Sequence, residues 1–171
     1  MDERVRNTYN TCIENPCWSG FFLHQGQDED RIKEVAMELD NAIESGDVEQ
    51  IVAFFADDCE IELMGITLSG KDGARRWLEW LFDTLVEVKF RPVTIMVEDD
   101  TFFEEFILIG TLQNGKVVES KQSEVLIYED YKIKSLRVYF DRLDFADVVA
   151  DDFISRKIVK MLISRSLKGL G

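Results

Sequence analysis

The stretch from residue 88 to residue 140 constrains this chain most. Four segments, Val88–Val97, Thr101–Leu112, Lys116–Tyr128 and Lys132–Phe140, are rich in β-branched and aromatic residues. The gaps between them are three residues each and carry the turn signals Asp99-Asp100, Asn114-Gly115 and Glu129-Asp130. Connections this short join antiparallel neighbours, because a parallel crossover needs about a dozen residues or more. Asn-Gly between alternating apolar residues is a hairpin signal, since its backbone tolerates positive φ. The second half of the chain is therefore expected to form an antiparallel sheet of long strands.

Helical periodicity dominates what precedes it. Asp28 or Asp30 can cap a helix whose apolar residues Ile32, Val35, Ala36, Leu39, Ala42 and Ile43 recur at three-to-four spacing. Gly46 ends that helix, and Asp47 caps a shorter one carrying Val48, Ile51, Val52, Phe54 and Phe55. At Cys59 the period changes to two, with Cys59, Ile61 and Leu63 alternating with Glu60 and Glu62. Gly65 and Gly70 bracket the extended piece Ile66-Thr67-Leu68. A third helix then runs from Asp72 with Ala74, Trp77, Leu78, Leu81 and Leu85 toward the core. From about Phe145 to Leu167 the pattern is helical again. The expected organisation is an N-terminal extension over residues 1–29, a domain over 30–146 and a C-terminal helical extension over 147–171.

Charge narrows the function classes. Lys and Arg number 20 against 34 Asp and Glu, giving a net charge of −14 across 171 residues. A nucleic-acid partner is not expected, because binding a phosphate backbone requires clustered cations. The basic residues Arg156, Lys157, Lys160, Arg165 and Lys168 are spread round a helix and read as its solvated face. No apolar run approaches the roughly 20 residues of a membrane span, and Met1-Asp2-Glu3-Arg4 does not open a secretory leader. Three cysteines, Cys12, Cys17 and Cys59, fit reduced thiols and a cytoplasmic location. Cys12 and Cys17 lack a second Cys/His pair, and His24 is the single histidine, so neither a metal nor a cofactor is expected.

Helices first and a bent antiparallel sheet afterwards make an α+β protein. Two stretches carry a closer likeness. Asn41-Ala42-Ile43-Glu44-Ser45-Gly46-Asp47, followed by Ile51-Val52-Ala53-Phe54-Phe55-Ala56-Asp57-Asp58, resembles the opening of the nuclear transport factor 2-like superfamily. Leu68-Ser69-Gly70-Lys71-Asp72-Gly73 resembles its loop into the third helix. Ile133-Lys134-Ser135-Leu136-Arg137-Val138-Tyr139-Phe140-Asp141 is similar to the last strand of its limonene epoxide hydrolases. Ketosteroid isomerases and SnoaL-like polyketide cyclases belong to the same superfamily. The resemblance implies a cone-shaped curved sheet wrapped by three helices, an internal pocket and a homodimer formed through the sheet.

Carried over residue by residue, the known chemistries lose their groups. The isomerase base falls on Leu63, and its oxyanion donors fall on Leu39 and Ser123. The epoxide hydrolase set falls on Ile107, Glu105, Val138, Ile61 and Leu63. Paired catalytic histidines are impossible with His24 alone. Alternation is taken to place Phe103, Glu105, Ile107 and Ile109 inward, with Leu136, Val138 and Phe140. The expected pocket is Leu39, Ile61, Leu63, Trp77, Phe103, Glu105, Ile107, Ser123, Val138 and Phe140, an oily hollow nearly free of titrating groups. Glu105 is its candidate catalytic acid or base, a role that pairing with Lys121 or Arg91 would remove. A two-residue Asn114-Gly115 turn opposes Glu105 to Glu124, whereas the resemblance turns Ser123 inward, and a bulge would reconcile the two. Three functions are compatible with this pattern: binding a small apolar molecule, diverged isomerase or hydrolase chemistry on a steroid-, terpene- or polyketide-like substrate, and protein interaction with a filled pocket.

Overall fold

The computed structural model describes residues 26–149, 153–166 and 168–169. The proposed N-terminal extension up to residue 25, with Cys12, Cys17 and His24, lies outside the described residues, as do Leu170 and Gly171. Helix α1 (Glu29–Ser45) starts where Asp28 accepts the backbone N–H groups of Asp30 and Arg31. It buries Ile32, Val35, Ala36, Leu39, Ala42 and Ile43. Gly46, at φ 76°, closes it by donating its N–H to the carbonyls of Ala42 and Ile43. Asp47 caps α2 (Val48–Val52) through the N–H of Gln50. Both cap residues satisfy donors that a helix start leaves open.

Strand β1 (Phe55–Leu63) pairs antiparallel with the short β2 (Ile66–Ser69), and α3 (Gly70–Thr84) follows at once. Four long strands come next: β3 (Leu85–Glu98), β4 (Thr101–Leu112), β5 (Val117–Glu129) and β6 (Lys132–Phe140). Helices α4 (Leu143–Val149) and α5 (Phe153–Ser166) close the described chain. The six strands make one open sheet in the order β2-β1-β6-β5-β4-β3. All ladders are antiparallel except β1 against β6, which is parallel and brings the first strand beside the last. Extra residues at Val93 in β3 and at Lys134 in β6, opposite Ile127/Tyr128 of β5, shift the register and bend the long strands. Helices α1 and α3 pack across the concave side, α1 on β3 and β4 and α3 on β1, β2 and β3. The expected α+β cone is the architecture observed. The core beneath the helices includes Phe55 against Trp77, edge to face with ring centres 6.1 Å apart.

The hairpin between β4 and β5 differs from the two-residue turn expected at Asn114-Gly115. Leu112 and Lys116 are the last bonded pair, so the loop is the three residues Gln113-Asn114-Gly115. Among these only Gly115 has positive φ, at 76°, while a two-residue type I′ turn would require it at Asn114 as well. The extra residue shifts the pairing by one. Ile107 faces Lys121, Glu105 faces Ser123, and Glu104 faces Glu124.

Candidate functional site

A one-residue shift in a strand moves every side chain to the other face. That shift rewrites the expected pocket. On β4 the inward, buried set is Phe102, Glu104, Phe106, Leu108 and Leu112. Glu105 is exposed, and its carboxylate accepts a hydrogen bond from the Thr94 hydroxyl at 3.3 Å rather than entering the pocket. Phe103, Ile107 and Ser123 share its outer face and line no inner wall. The physical reason lies in the sequence Phe102-Phe103-Glu104-Glu105-Phe106-Ile107-Leu108-Ile109, which offers an apolar series with one glutamate on either parity. Leu39, Leu63, Trp77, Val138 and Phe140 do line the interior cavity, while Ile61 is fully buried in the core beside it.

The cavity has a volume of about 360 Å³. Helix α1 contributes Leu39, Asp40 and Ile43, and α3 contributes Trp77, Trp80, Leu81 and Thr84. The sheet supplies Leu63, Leu85, Phe90, Phe106, Leu108, Leu136, Val138 and Phe140, with Gln122 and Glu124 from β5. Met64, Arg142 and Phe145 complete the wall. Arg142 donates to the Met64 carbonyl, and Phe145 stands edge to face against Phe140 with ring centres 5.7 Å apart. Phe90 and Phe106 pair in the same way at 5.5 Å. Gly110 makes room for the wall residue Leu85, whose side chain would lie 2.8 Å from a Cβ at that position.

The expectation of a hollow nearly free of titrating groups fails at one place. Asp40, Glu104 and Glu124 bring carboxyl oxygens within 4.8 Å of one another. Asp40 comes from α1, Glu104 from β4 and Glu124 from its cross-strand partner position on β5. Asp40 and Glu124 open on the cavity, whereas Glu104 is only 2% exposed and sits behind them. Tyr128, four residues along β5 from Glu124 and on the same face, is also 2% exposed. Neither the Tyr128 hydroxyl nor Glu104 Oε1 has a hydrogen-bond partner among the described residues. No cation pairs with these acids among the described residues.

Removed from water and set beside each other, the acids hold their protons. Burial, then the neighbouring charges of Glu104 and Glu44, pushes Asp40 up to about 8. Burial pushes Glu104 up to about 7. Glu124 is raised well above the ordinary carboxyl range by burial first and by Asp40 and Glu104 second. The same surroundings raise the Tyr128 phenol. Loss of hydration disfavours a charged carboxylate, and a second carboxylate nearby disfavours it further. Three oxygens are half of what a calcium or magnesium ion takes, and the rest of this wall is mainly aliphatic and aromatic. The arrangement thus favours protons over a hydrated divalent ion. It can give a proton to a bound molecule and take one back near neutral pH.

One sequence signal points here. Asp40 stands four residues after Ala36 and three before Ile43, on the apolar stripe of α1, where an acid is costly. Glu104 and Glu124 had no comparable signal, because their faces depend on the loop at 113–115.

A bent open sheet with helices across its hollow side, enclosing a cavity, defines the nuclear transport factor 2-like class. Residues 37–136 match the profile of the SnoaL-like domain, and the chain belongs to that family. Solved structures of the same fold include the epoxide hydrolase/cyclase-like enzyme SalBIII, described for its role in pyran ring formation in the polyether salinomycin. It is 24% identical over 69% of this chain and 96% of its own, with a TM-score of 0.63. A candidate SnoaL-like polyketide cyclase from Jannaschia sp. CCS1 is 15% identical over 74% of this chain and 99% of its own, with a TM-score of 0.64. A nuclear transport factor 2-like protein from Anabaena variabilis ATCC 29413 is 17% identical over 71% of this chain and 96% of its own, with a TM-score of 0.59. No curated protein matches the chain.

Proposed function

We propose that the protein takes a small, largely apolar molecule into the cavity and transfers protons to and from it through Asp40 and Glu124. The observation that carries this reading is the pair of carboxyls on a mainly apolar wall, with no cation paired to them among the described residues. One of them in its acid form donates to a heteroatom of the bound molecule. The other, as carboxylate, accepts a proton from the same molecule or from an attacking water. Proton balance is kept, and the reaction class is isomerisation, ring closure or ring opening on a steroid-, terpene- or polyketide-like substrate. Glu104 and Tyr128 act behind the pair by keeping a proton within the cluster. The open volume speaks against a purely protein-interacting module with a filled pocket.

The test has two readouts. The protein is incubated in deuterium oxide with a steroid enone, a terpene epoxide and a β-diketone, and products are read by mass spectrometry. Deuterium uptake or ring opening above the buffer background is expected, and Asp40→Asn and Glu124→Gln should each abolish it. Carbon-13 NMR titration follows the two carboxyls in parallel. Absence of turnover together with ordinary carboxyl titration of Asp40 and Glu124 would overturn the reading.

The outer face of the sheet supports a second part of the proposal, a homodimer. Phe103, Ile107, Ile109 and Val125 are half-buried there, and Met96 and Tyr139 are exposed at 56% and 52%. A second copy laid on this face would cover them. The proposed location is cytoplasmic. Among the described residues no helix is long and apolar enough to cross a membrane.

A further inference from the structure

The three acids converge from three elements, and the groups around them leave their chemistry unanswered. Tyr128 is almost wholly buried, and its hydroxyl, which has no partner among the described residues, lies within reach of the charge of Glu124, Asp40 and Glu104. Glu104 Oε1 is buried without a partner as well. Leaving such atoms unpaired costs about 1–3 kcal/mol each, more for a charged group. An entirely apolar ligand would leave that cost in place. A neutral carbonyl can accept from protonated acids, but it does not offset the charge of an ionised carboxylate.

A positive centre answers the whole cluster. It lets Asp40 and Glu124 ionise against an opposite charge. The rest of the cavity suits such a ligand too. Trp77, Trp80, Phe90, Phe106, Phe140 and Phe145 line it, and aromatic faces attract a weakly hydrated cation. Arg142 is the cationic side chain among the lining residues, and it is engaged with the Met64 carbonyl rather than with the acids. The net charge of −14 draws cations toward the protein from a distance.

We propose that the cavity selects apolar molecules carrying a cationic nitrogen, with the ammonium group against Asp40 and Glu124 and the apolar body among the aromatic side chains. This inference rests on the reading of the cavity as a small-molecule site and deepens it by assigning the ligand's charge.

Phenyltrimethylammonium and tert-butylbenzene have the same shape and differ in charge, so they isolate the claim. Each is titrated into the full-length protein, and the indole NMR signals of Trp77 and Trp80 report occupancy. The cation is expected to bind roughly tenfold more tightly or better. In the double variant Asp40→Asn, Glu124→Gln that preference should vanish while tert-butylbenzene still binds, which also shows that the cavity remains folded. Equal or tighter binding of tert-butylbenzene to the unsubstituted protein overturns the inference and leaves the small-molecule reading intact. Failure of both probes to bind removes both. A third titration uses manganese(II). If it shifts the same signals and phenyltrimethylammonium does not compete with it, the cluster is a metal site and the inference is overturned.

Discussion

Asp40 shows what a single buried acid does to the stability of this protein. Its folded-state pKa is raised to about 8 from an ordinary 3.8, and that of Glu104 to about 7 from 4.5. Between the ordinary and raised values the folded protein holds protons that the unfolded chain has released. Stability from these groups is therefore fully present at low pH and is lost as pH rises through 7 and 8. Each group contributes a slope of about 1.4 kcal/mol per pH unit within its window. The melting temperature is expected to fall between pH 5.5 and pH 8. Asn at position 40 should flatten that fall and raise the melting temperature at pH 8. A melting temperature that climbs with pH in the unsubstituted protein would contradict this account.

At the scale of elements, two glycines carry more than their size suggests. Gly73 opens α3 against β2, and a Cβ there would lie 2.9 Å from the backbone carbonyl carbon of Leu68. Backbone cannot swing away as a side-chain tip can, so Gly73→Ala should destabilise by about 1–3 kcal/mol in urea unfolding. Gly115 has open space around it but a φ of +76°. Gly115→Val should cost about 1–2 kcal/mol through conformation alone. Shortening the loop by deleting Gln113 has a different consequence. It favours the two-residue turn and the slipped register, which would put Glu104 and Glu124 on opposite faces of the sheet and break up the cluster with Asp40. Loss of the raised carboxyl titrations in that variant, with strand content retained, is the expected spectroscopic result.

For the whole molecule, the cavity and the outer sheet face are separable. Val138→Trp is expected to fill the cavity and abolish binding of small apolar probes, measured by NMR titration, without changing the mass of the assembly. Tyr139→Glu, placed on the opposite face next along the strand, should leave the cavity alone. If a second copy covers the outer face, sedimentation should show a dimer that this substitution converts to monomers. A unsubstituted protein that sediments as a monomer at all concentrations would remove the dimer proposal.

Much of the architecture is legible in the sequence. Asp28, Gly46 and Asp47 mark helix ends through local backbone chemistry. The apolar stripe of α1 and the alternation Cys59, Ile61, Leu63 identify buried faces because the opposite faces are charged. Leu63 lies on the cavity wall for that reason. On β4 both faces are apolar and each carries one glutamate, so alternation has two equal answers. The choice between Glu104 and Glu105 passed to a single extra residue in the 113–115 loop, whose backbone conformation is set by how β4 and β5 meet. The acid cluster is likewise a product of packing: Asp40 on a helix meets Glu104 and Glu124 on two strands only when the sheet bends beneath α1. Local interactions reach a few residues along a chain, and the contacts that make this cavity join positions far apart in it.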